Sequence, residues 1–224
     1  MIMMIDNIKA AVFDMDGLLL DTERICFAVL TQVFEEYGHD LSTSEYAALV
    51  GLNSREVRLR IQQKLGNGVD LEKFVETWKS RYFKQTVEES APTKKGVIEL
   101  LEYLKGINLP IAVATSTDYE TAEKKLVKSG LREFFSAVIG GDQIERSKPA
   151  PDIYLKAADC LDIAPEYCLA FEDSTYGVQA ALAAGMQTVH IPDMVEVPTS
   201  ILKGCVGVFA SCGDFLNSYY GVHQ

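Results

Sequence analysis

The chain has 224 residues, of which 48% are apolar and 24% are charged, which suits one sizeable core or a domain that carries an inserted module. Its formal net charge of −11 argues against binding to nucleic acid and to anionic membranes, because both require clustered Lys and Arg. We therefore expect neither a nucleic acid nor a membrane as a partner.

The cysteines and the uncharged runs indicate the compartment. Five cysteines are scattered without C-x-x-C spacing, which disfavours disulfides and zinc sites and favours a reducing, cytoplasmic environment. The apolar opening run 1–5 is too short for the core of a signal peptide. The longest uncharged run, 174–192, holds two glycines and many polar residues, so it does not predict a membrane span.

Short apolar runs alternate along the chain with segments of helical spacing. This alternation predicts right-handed crossovers and an α/β fold with a Rossmann-like parallel sheet. The predicted strands are Ala10–Asp14, Ile111–Thr115, Ala137–Ile139, Cys168–Phe171, Thr188–Ile191 and Val206–Phe209. The predicted helices among them are Gly96–Lys105, Tyr119–Ser129, Ile153–Leu161 and Gly177–Ala184.

One segment, residues 22–91, contains no strand pattern. Helical spacing of apolar residues recurs there in Ile25–Tyr37, Glu56–Leu65 and Leu71–Val87. We expect an all-helical module inserted between the first two strands, so that residues 1–21 and 92–224 form the α/β core domain and 22–91 form a cap. Such a module lies next to the carboxyl edge of the sheet and can close over it, so a monomer suffices.

Two carboxylates, Asp14 and Asp16, immediately follow the first predicted strand. Residues two apart on an extended chain point the same way, and two close carboxylates resist ionising together. The pair suits a site that holds a divalent cation or a positive side chain between them, or one in which one carboxylate reacts while the other moves protons. The alternative is a polar turn, since Asp closes turns and caps helices well.

Known acidic and glycine-rich motifs do not account for the pair. An EF-hand calcium loop that starts at Asp14 would need Glu at its twelfth position, where the sequence has Ile25. Neither the dinucleotide G-x-G-x-x-G pattern nor the P-loop pattern occurs in the chain.

Polar groups follow three other predicted strands. Thr115-Ser116-Thr117 offers hydroxyls and amides for an anion, Lys148 precedes a helix start, and Glu172-Asp173 is a second acidic pair. Each has a simpler reading as a helix cap or a surface charge. Together they supply the parts for phosphoryl transfer: a carboxylate nucleophile, a proton-moving carboxylate, phosphate donors, a cation and metal ligands.

These segments, in this order, resemble the haloacid dehalogenase (HAD) superfamily of phosphotransferases. The matching motifs are Asp14-Met15-Asp16-Gly17, Thr115, Lys148-Pro149 and Glu172-Asp173, and the resemblance spans nearly the whole chain. It implies the HAD fold with a helical cap. The stretches F-D-M-D-G-L-L-L-D-T-E-R and A-L-A-A-G-M are most similar to pseudouridine 5'-phosphatase, within a subgroup that also holds sugar-phosphate phosphatases and beta-phosphoglucomutase.

The resemblance implies a role for each motif. Asp14 attacks phosphorus and becomes a transient aspartyl phosphate, while Asp16 protonates the leaving alcohol and then activates water. The implied cofactor is Mg²⁺, held by Asp14, the backbone carbonyl of Asp16, and Asp173, with Glu172 binding directly or one shell out. Thr115, Ser116 and Thr117 bind the phosphoryl group, and Lys148 offsets its charge. Arg55, after the loop 51–54, is the expected substrate-binding arginine of the cap.

The sequence thus predicts a Mg²⁺-dependent phosphatase that acts on a small sugar or nucleoside phosphate. The first alternative is a mutase of the beta-phosphoglucomutase kind, which Cys26 disfavours because the mutases carry a histidine there. At position 118 the mutase has a lysine and this chain has Asp118, which also disfavours the mutase. The presence of Asp16 disfavours dehalogenase chemistry, because the departure of a halide needs no acid and the dehalogenases lack this aspartate. A phosphometabolite-binding regulator without catalysis is the remaining alternative.

Overall fold

The computed structural model describes residues 7–50 and 54–221. Its centre is a six-stranded sheet in which every described strand pair is parallel. The strands are β1 (Ala10–Phe13), β2 (Ile111–Ala114), β3 (Ala137–Ile139), β4 (Cys168–Glu172), β5 (Gln187–His190) and β6 (Gly207–Val208). Their order across the sheet is β3-β2-β1-β4-β5-β6, which confirms the predicted Rossmann-like core.

The central strand β1 determines where the site lies. All four of its residues are buried, and it pairs with β2 on one side and with β4 on the other. The Phe13 and Phe171 rings of β1 and β4 stack with centroids 4.4 Å apart. Sequence order reverses beside β1, and open parallel sheets bind ligands beyond the carboxyl ends of strands at such a point.

Ten α-helices in the part of the chain that the structure describes surround or extend this sheet. Within the described ranges, no helix is long and apolar enough to cross a lipid bilayer. The helices are α1 (Thr22–Glu36), α2 (Thr43–Ala47), α3 (Ser54–Leu65), α4 (Leu71–Phe83), α5 (Val97–Gly106), α6 (Tyr119–Lys128), α7 (Asp152–Cys160), α8 (Thr175–Ala183), α9 (Thr199–Leu202) and α10 (Cys212–Tyr220).

Two apolar clusters sandwich the sheet. Helices α5, α6 and α10 contribute Leu101, Leu126 and Phe215 to one cluster. Helices α7 and α8 contribute Ile153 and Ala181 to the cluster on the opposite face. Burial of these faces is the main favourable term for folding and leaves the carboxyl edge of the sheet for polar groups.

Helices α1 to α4 have an apolar core of their own. Val29, Phe34, Ile61 and Phe74 from α1, α3 and α4 are buried together, and the rings of Phe34 and Phe74 meet edge to face with centroids 4.9 Å apart. A separate core supports the division predicted from the sequence. We propose that residues 22–91 form a cap on a core of residues 1–21 and 92–224.

The structure adds helices α2, α9 and α10 to the predicted set and ends one predicted helix early. Helix α2, which was not predicted, is a short turn held by a capping box between Ser42 and Glu45. The predicted helix through Val87 stops at Phe83 and continues as a π-helical turn, Lys84–Glu88. Helix α10 was also not predicted, although its aromatic residues recur at helical spacing.

Gly177 allows α8 to pack directly on the end of β4. A Cβ at this position would lie 1.8 Å from Glu172 Oε1 and 1.9 Å from its Cδ. Alanine would gain about 1 kcal/mol in helix propensity, but it would displace a fully buried carboxylate from its hydrogen bonds. We expect Gly177→Ala to lower the free energy of unfolding by about 2 kcal/mol or more.

Urea unfolding of both proteins checks this expectation. Gly68→Ala is the control, because a Cβ at Gly68 meets nothing within 4 Å, and it should shift stability by less than about 0.5 kcal/mol. A Gly177→Ala protein as stable as the wild type would show that Glu172 is not tightly held.

Candidate active site

Four segments meet at the carboxyl edge of the sheet around one cavity of about 950 Å³. This volume is in the range of small-molecule sites. Residues predicted from the sequence that line it are Asp14, Asp16, Thr115, Ser116, Thr117, Lys148 and Asp173. The structure therefore brings together side chains that are far apart in the sequence.

Lys148 joins three strands at this edge. Its Nζ donates to Asp14 Oδ1 at 2.5 Å, to Glu172 Oε1 at 2.6 Å and to the Ala114 carbonyl at 3.0 Å. Burial lowers the pKa of this lysine, but the charges of Asp14 and Glu172 outweigh burial and raise its pKa overall. Lys148 is therefore a buried, charged ammonium that holds the ends of β1, β2 and β4.

Asp14, the predicted nucleophile, lies in an environment short of positive charge. Burial raises its pKa to about 7, against the opposing charge of Lys148 and with a further upward contribution from Glu172. A carboxylate at this position needs more positive charge to remain ionised at neutral pH.

Glu172 is fully buried, and both of its carboxylate oxygens have donors. Oε1 accepts from Lys148 and from the Tyr154 hydroxyl at 2.7 Å. Oε2 accepts from the backbone amides of Asp173 and Ser174 and from the Ser174 hydroxyl, each at 3.1 Å. Of its two predicted metal roles, direct or indirect, this arrangement favours the indirect one.

Asp173 has the features expected of a metal ligand. Its Oδ1 is buried without a hydrogen-bond partner among the described residues. Its Oδ2 lies 2.5 Å from where a Cβ of Gly17 would be, so only glycine, with φ of +89°, fits beside it. The pKa of Asp173 is raised, by burial first and then by the charges of Glu172, Asp14 and Asp193. A bound dication would reverse this shift.

The donor set fits a hard cation such as Mg²⁺. Asp14 and Asp173 line the cavity and offer carboxylate oxygens, and the family resemblance adds the backbone carbonyl of Asp16. No group of three acidic, histidine or cysteine side chains in the described part of the chain could hold a metal ion alone. Backbone, substrate and water oxygens would therefore complete the coordination.

Asp16 lies in a different environment from Asp14. Its Oδ1 accepts from Lys125 Nζ at 2.7 Å, and its Oδ2 accepts from the Thr117 hydroxyl at 2.7 Å and the Thr115 hydroxyl at 3.4 Å. Burial raises the pKa of Asp16, but the charge and hydrogen bonds of Lys125, with Thr117, lower it overall. The hydroxyls predicted to bind phosphate thus contact Asp16 here, and Asp118 caps α6 by accepting from the Thr121 amide at 3.0 Å.

Sequence reasoning missed Lys125. Its side chain is only 2% exposed, although it lies on the charged helix α6. It shares a face with the buried residues Ala122 and Leu126, so helical periodicity was a usable signal. The Tyr82 ring of α4 lies over Lys125, 5.2 Å from Nζ to the ring centroid, and links the cap to Asp16.

Two predicted site residues do not line the cavity: Glu172, which is buried against Lys148, and Arg55, which the structure does not bring to the site. Arg55 lies exposed on α3 and is not among the cavity-lining residues. The loop 51–53 before it lies outside the described residues, so its substrate-binding role stays a prediction. On the cap side, Glu23, Val50, Glu56 and Tyr82 line the cavity instead, and no sequence pattern marks them as site residues.

Fold and site together define an α/β enzyme whose reactive carboxylates lie at the carboxyl edge of a parallel sheet. The family model described as haloacid dehalogenase-like hydrolase matches residues 11–191. The chain belongs to this family, as its motifs predicted, and it is a phosphatase of the family.

Three similar proteins support this membership. The phosphorylated carbohydrates phosphatase of Thermotoga maritima is 35% identical over 185 residues, which cover 81% of this chain and 84% of the relative. The "Probable pseudouridine-5'-phosphatase" of Drosophila melanogaster is 31% identical over 224 residues, which cover 96% and 95%. The crystal structure of a HAD family hydrolase from Deinococcus radiodurans, with bound phosphate and sodium, has a TM-score of 0.82 at 25% identity and covers 96% of each chain.

The contact of Lys125 with Asp16 leads to a test. We expect Lys125→Met to lower kcat for phosphate release about 100-fold, because Asp16 loses the ammonium that positions it. Steady-state kinetics should show the loss in kcat more than in KM, with partial recovery in Lys125→Arg. The control is Lys124→Met, which removes an exposed lysine paired with Glu120 and should leave kcat within about two-fold. Equal effects of the two methionine variants would rule out this role for Lys125.

Proposed function

We propose that the chain hydrolyses small phosphate monoesters, of a sugar or a nucleoside, with Mg²⁺ and through an aspartyl phosphate on Asp14. The observation that carries this proposal is the contact of buried Lys148 with Asp14 in a cavity that also holds Asp16 and Asp173. The names of the relatives from Thermotoga maritima and Drosophila melanogaster support the two substrate classes.

Each residue has a definite part in this reaction. Asp14 attacks phosphorus, Lys148 balances the negative charge beside it, and Thr115 and Ser116 donate to the phosphoryl oxygens. Mg²⁺, held by Asp14, the Asp16 carbonyl and Asp173, would supply positive charge that keeps Asp14 ionised and stabilises the transferred phosphoryl group. Glu172 accepts a hydrogen bond from Lys148 and fixes the position of its ammonium.

Asp16 has to change partners during the cycle. As long as Lys125 and Thr117 donate to it, its pKa is lowered and it is a carboxylate, the form that accepts a proton from water. Protonation of a leaving alcohol needs the neutral acid. We propose that Asp16 leaves this contact with Lys125 when substrate binds, and returns to it for hydrolysis of the aspartyl phosphate.

The mutase alternative gains no support from the cap. Cys26 of α1, at the position where mutases have histidine, is half-buried. Burial raises the pKa of its thiol to about 12, so it offers no group for proton transfer at neutral pH.

A phosphatase panel with an Asp14 variant tests the proposal. Purified protein with Mg²⁺ should release phosphate from sugar phosphates or nucleoside monophosphates, pseudouridine 5'-phosphate included. Asp14→Asn should lower kcat at least about 1,000-fold, since an amide is not a nucleophile here. Asp40→Asn, an exposed site on the cap, should behave as the wild type. Acid quench should trap a phosphoryl group on the wild-type peptide that contains Asp14.

Other outcomes would contradict the proposal. Rapid conversion of beta-glucose 1-phosphate to the 6-phosphate with a bisphosphate activator, and little free phosphate, would establish the mutase. Binding of phosphorylated ligands without phosphate release would establish the regulator. Equal kcat in wild type and Asp14→Asn would exclude covalent catalysis at Asp14.

A further inference from the structure

Asp193, in the loop after β5, has no role in the reaction described so far. It lines the same cavity as Asp14 and Asp173, and its side chain is only 2% exposed. A carboxylate so deeply buried needs partners for both oxygens. Its two oxygens have different surroundings: Oδ1 contacts residues at the two ends of the cap, and Oδ2 lies near Asp173.

The Oδ1 atom of Asp193 ties both linkers of the cap to the core. It accepts from Arg24 Nη1 at 2.9 Å and from Lys94 Nζ. Arg24 lies in the first turn of α1, where the chain enters the cap, and Lys94 lies just after the chain has left it. One carboxylate oxygen therefore connects the two crossings between cap and core.

The Oδ2 atom of Asp193 is buried without a hydrogen-bond partner among the described residues. It faces Asp173 across Gly17: a Cβ at Gly17 would lie 3.3 Å from Asp193 Oδ2 and 2.5 Å from Asp173 Oδ2. Two buried carboxylates that face each other repel, unless a cation or a cation-bound water lies between them.

We infer that Asp193 is a positioning residue of the magnesium site, where its Oδ2 accepts a hydrogen bond from a metal-bound water. This inference rests on the proposed function. Indirect contact fits better than direct ligation, because no three acidic, histidine or cysteine side chains in the described ranges form a metal cluster. Hydrogen-bond partners of this kind orient ligands and typically contribute about 10- to 100-fold in metal affinity.

A consequence follows for the cap. The carboxylate that supports the metal is also the one that Arg24 and Lys94 hold, so metal occupancy and the position of the cap linkers are coupled. A purely structural ion cluster would have the same salt bridges but would not change metal affinity when the carboxylate is neutralised. Metal affinity therefore separates the two roles.

The experiment measures Mn²⁺ binding to the full chain by the EPR signal of the free ion, with Mg²⁺ as competitor. Asp193→Asn keeps the shape of the side chain and removes its charge, and we expect it to weaken both ions about ten-fold. The control is Asp21→Asn, because Asp21 also pairs with Arg24, at 2.6 Å, and with Lys94, at 3.7 Å, yet does not line the cavity. Asp21→Asn should leave both affinities within about two-fold.

Equal ion affinities of wild type and Asp193→Asn would overturn the inference and leave the proposed phosphatase intact. Equal weakening by Asp193→Asn and Asp21→Asn would assign Asp193 to a structural ion cluster alone. A wild type that binds neither ion would remove the magnesium site and this inference together. If Asp193→Asn loses its cooperative unfolding transition, Asp193→Ser takes its place in the same comparison.

Discussion

The buried ammonium of Lys148 is the constraint on which the rest of the site depends. It contacts Asp14, Glu172 and the Ala114 carbonyl, and so fixes three neighbouring strand ends relative to one another. A buried lysine is tolerated only when carboxylates surround it, and the carboxylates in turn need the lysine. Glu172 is held by donors that all lie inside the fold, so it can serve as a fixed partner of Lys148.

Asp14 and Asp16, the two carboxylates that we propose as catalytic, differ in their electrostatic surroundings. Around Lys148, three carboxylates (Asp14, Glu172 and Asp173) share a single ammonium among the described residues, and the pKa values of Asp14 and Asp173 are raised. Asp16, by contrast, pairs with Lys125 as the one carboxylate that does so in the described ranges, and its pKa is lowered. The first chemical step needs an ionised Asp14 as nucleophile and a protonated Asp16 as acid, so these pKa shifts are the reverse of what it needs. A dication beside Asp14 and the release of Asp16 from Lys125 would both correct them.

The sequence was most informative where an apolar strand ends in a polar group. Asp14, Lys148 and Asp173 were predicted because parallel strands bring their carboxyl ends to one edge. Lys125 was missed because a lysine on a charged helix is usually solvated, and Asp193 because nothing local marks a loop aspartate. Both depend on contacts across about a hundred residues or more, which spacing within the sequence does not encode.

Removal of the Lys148 ammonium tests this account most directly. The measurement is the free energy of unfolding in metal-free buffer at pH 8. We predict that Lys148→Met loses about 3–5 kcal/mol, because the buried carboxylates lose their partner. Lys156→Met, which removes a partly exposed lysine of α7 that donates only to the Gln143 carbonyl among the described residues, should lose less than about 0.5 kcal/mol. A Lys148→Met protein as stable as the Lys156→Met control would contradict the account.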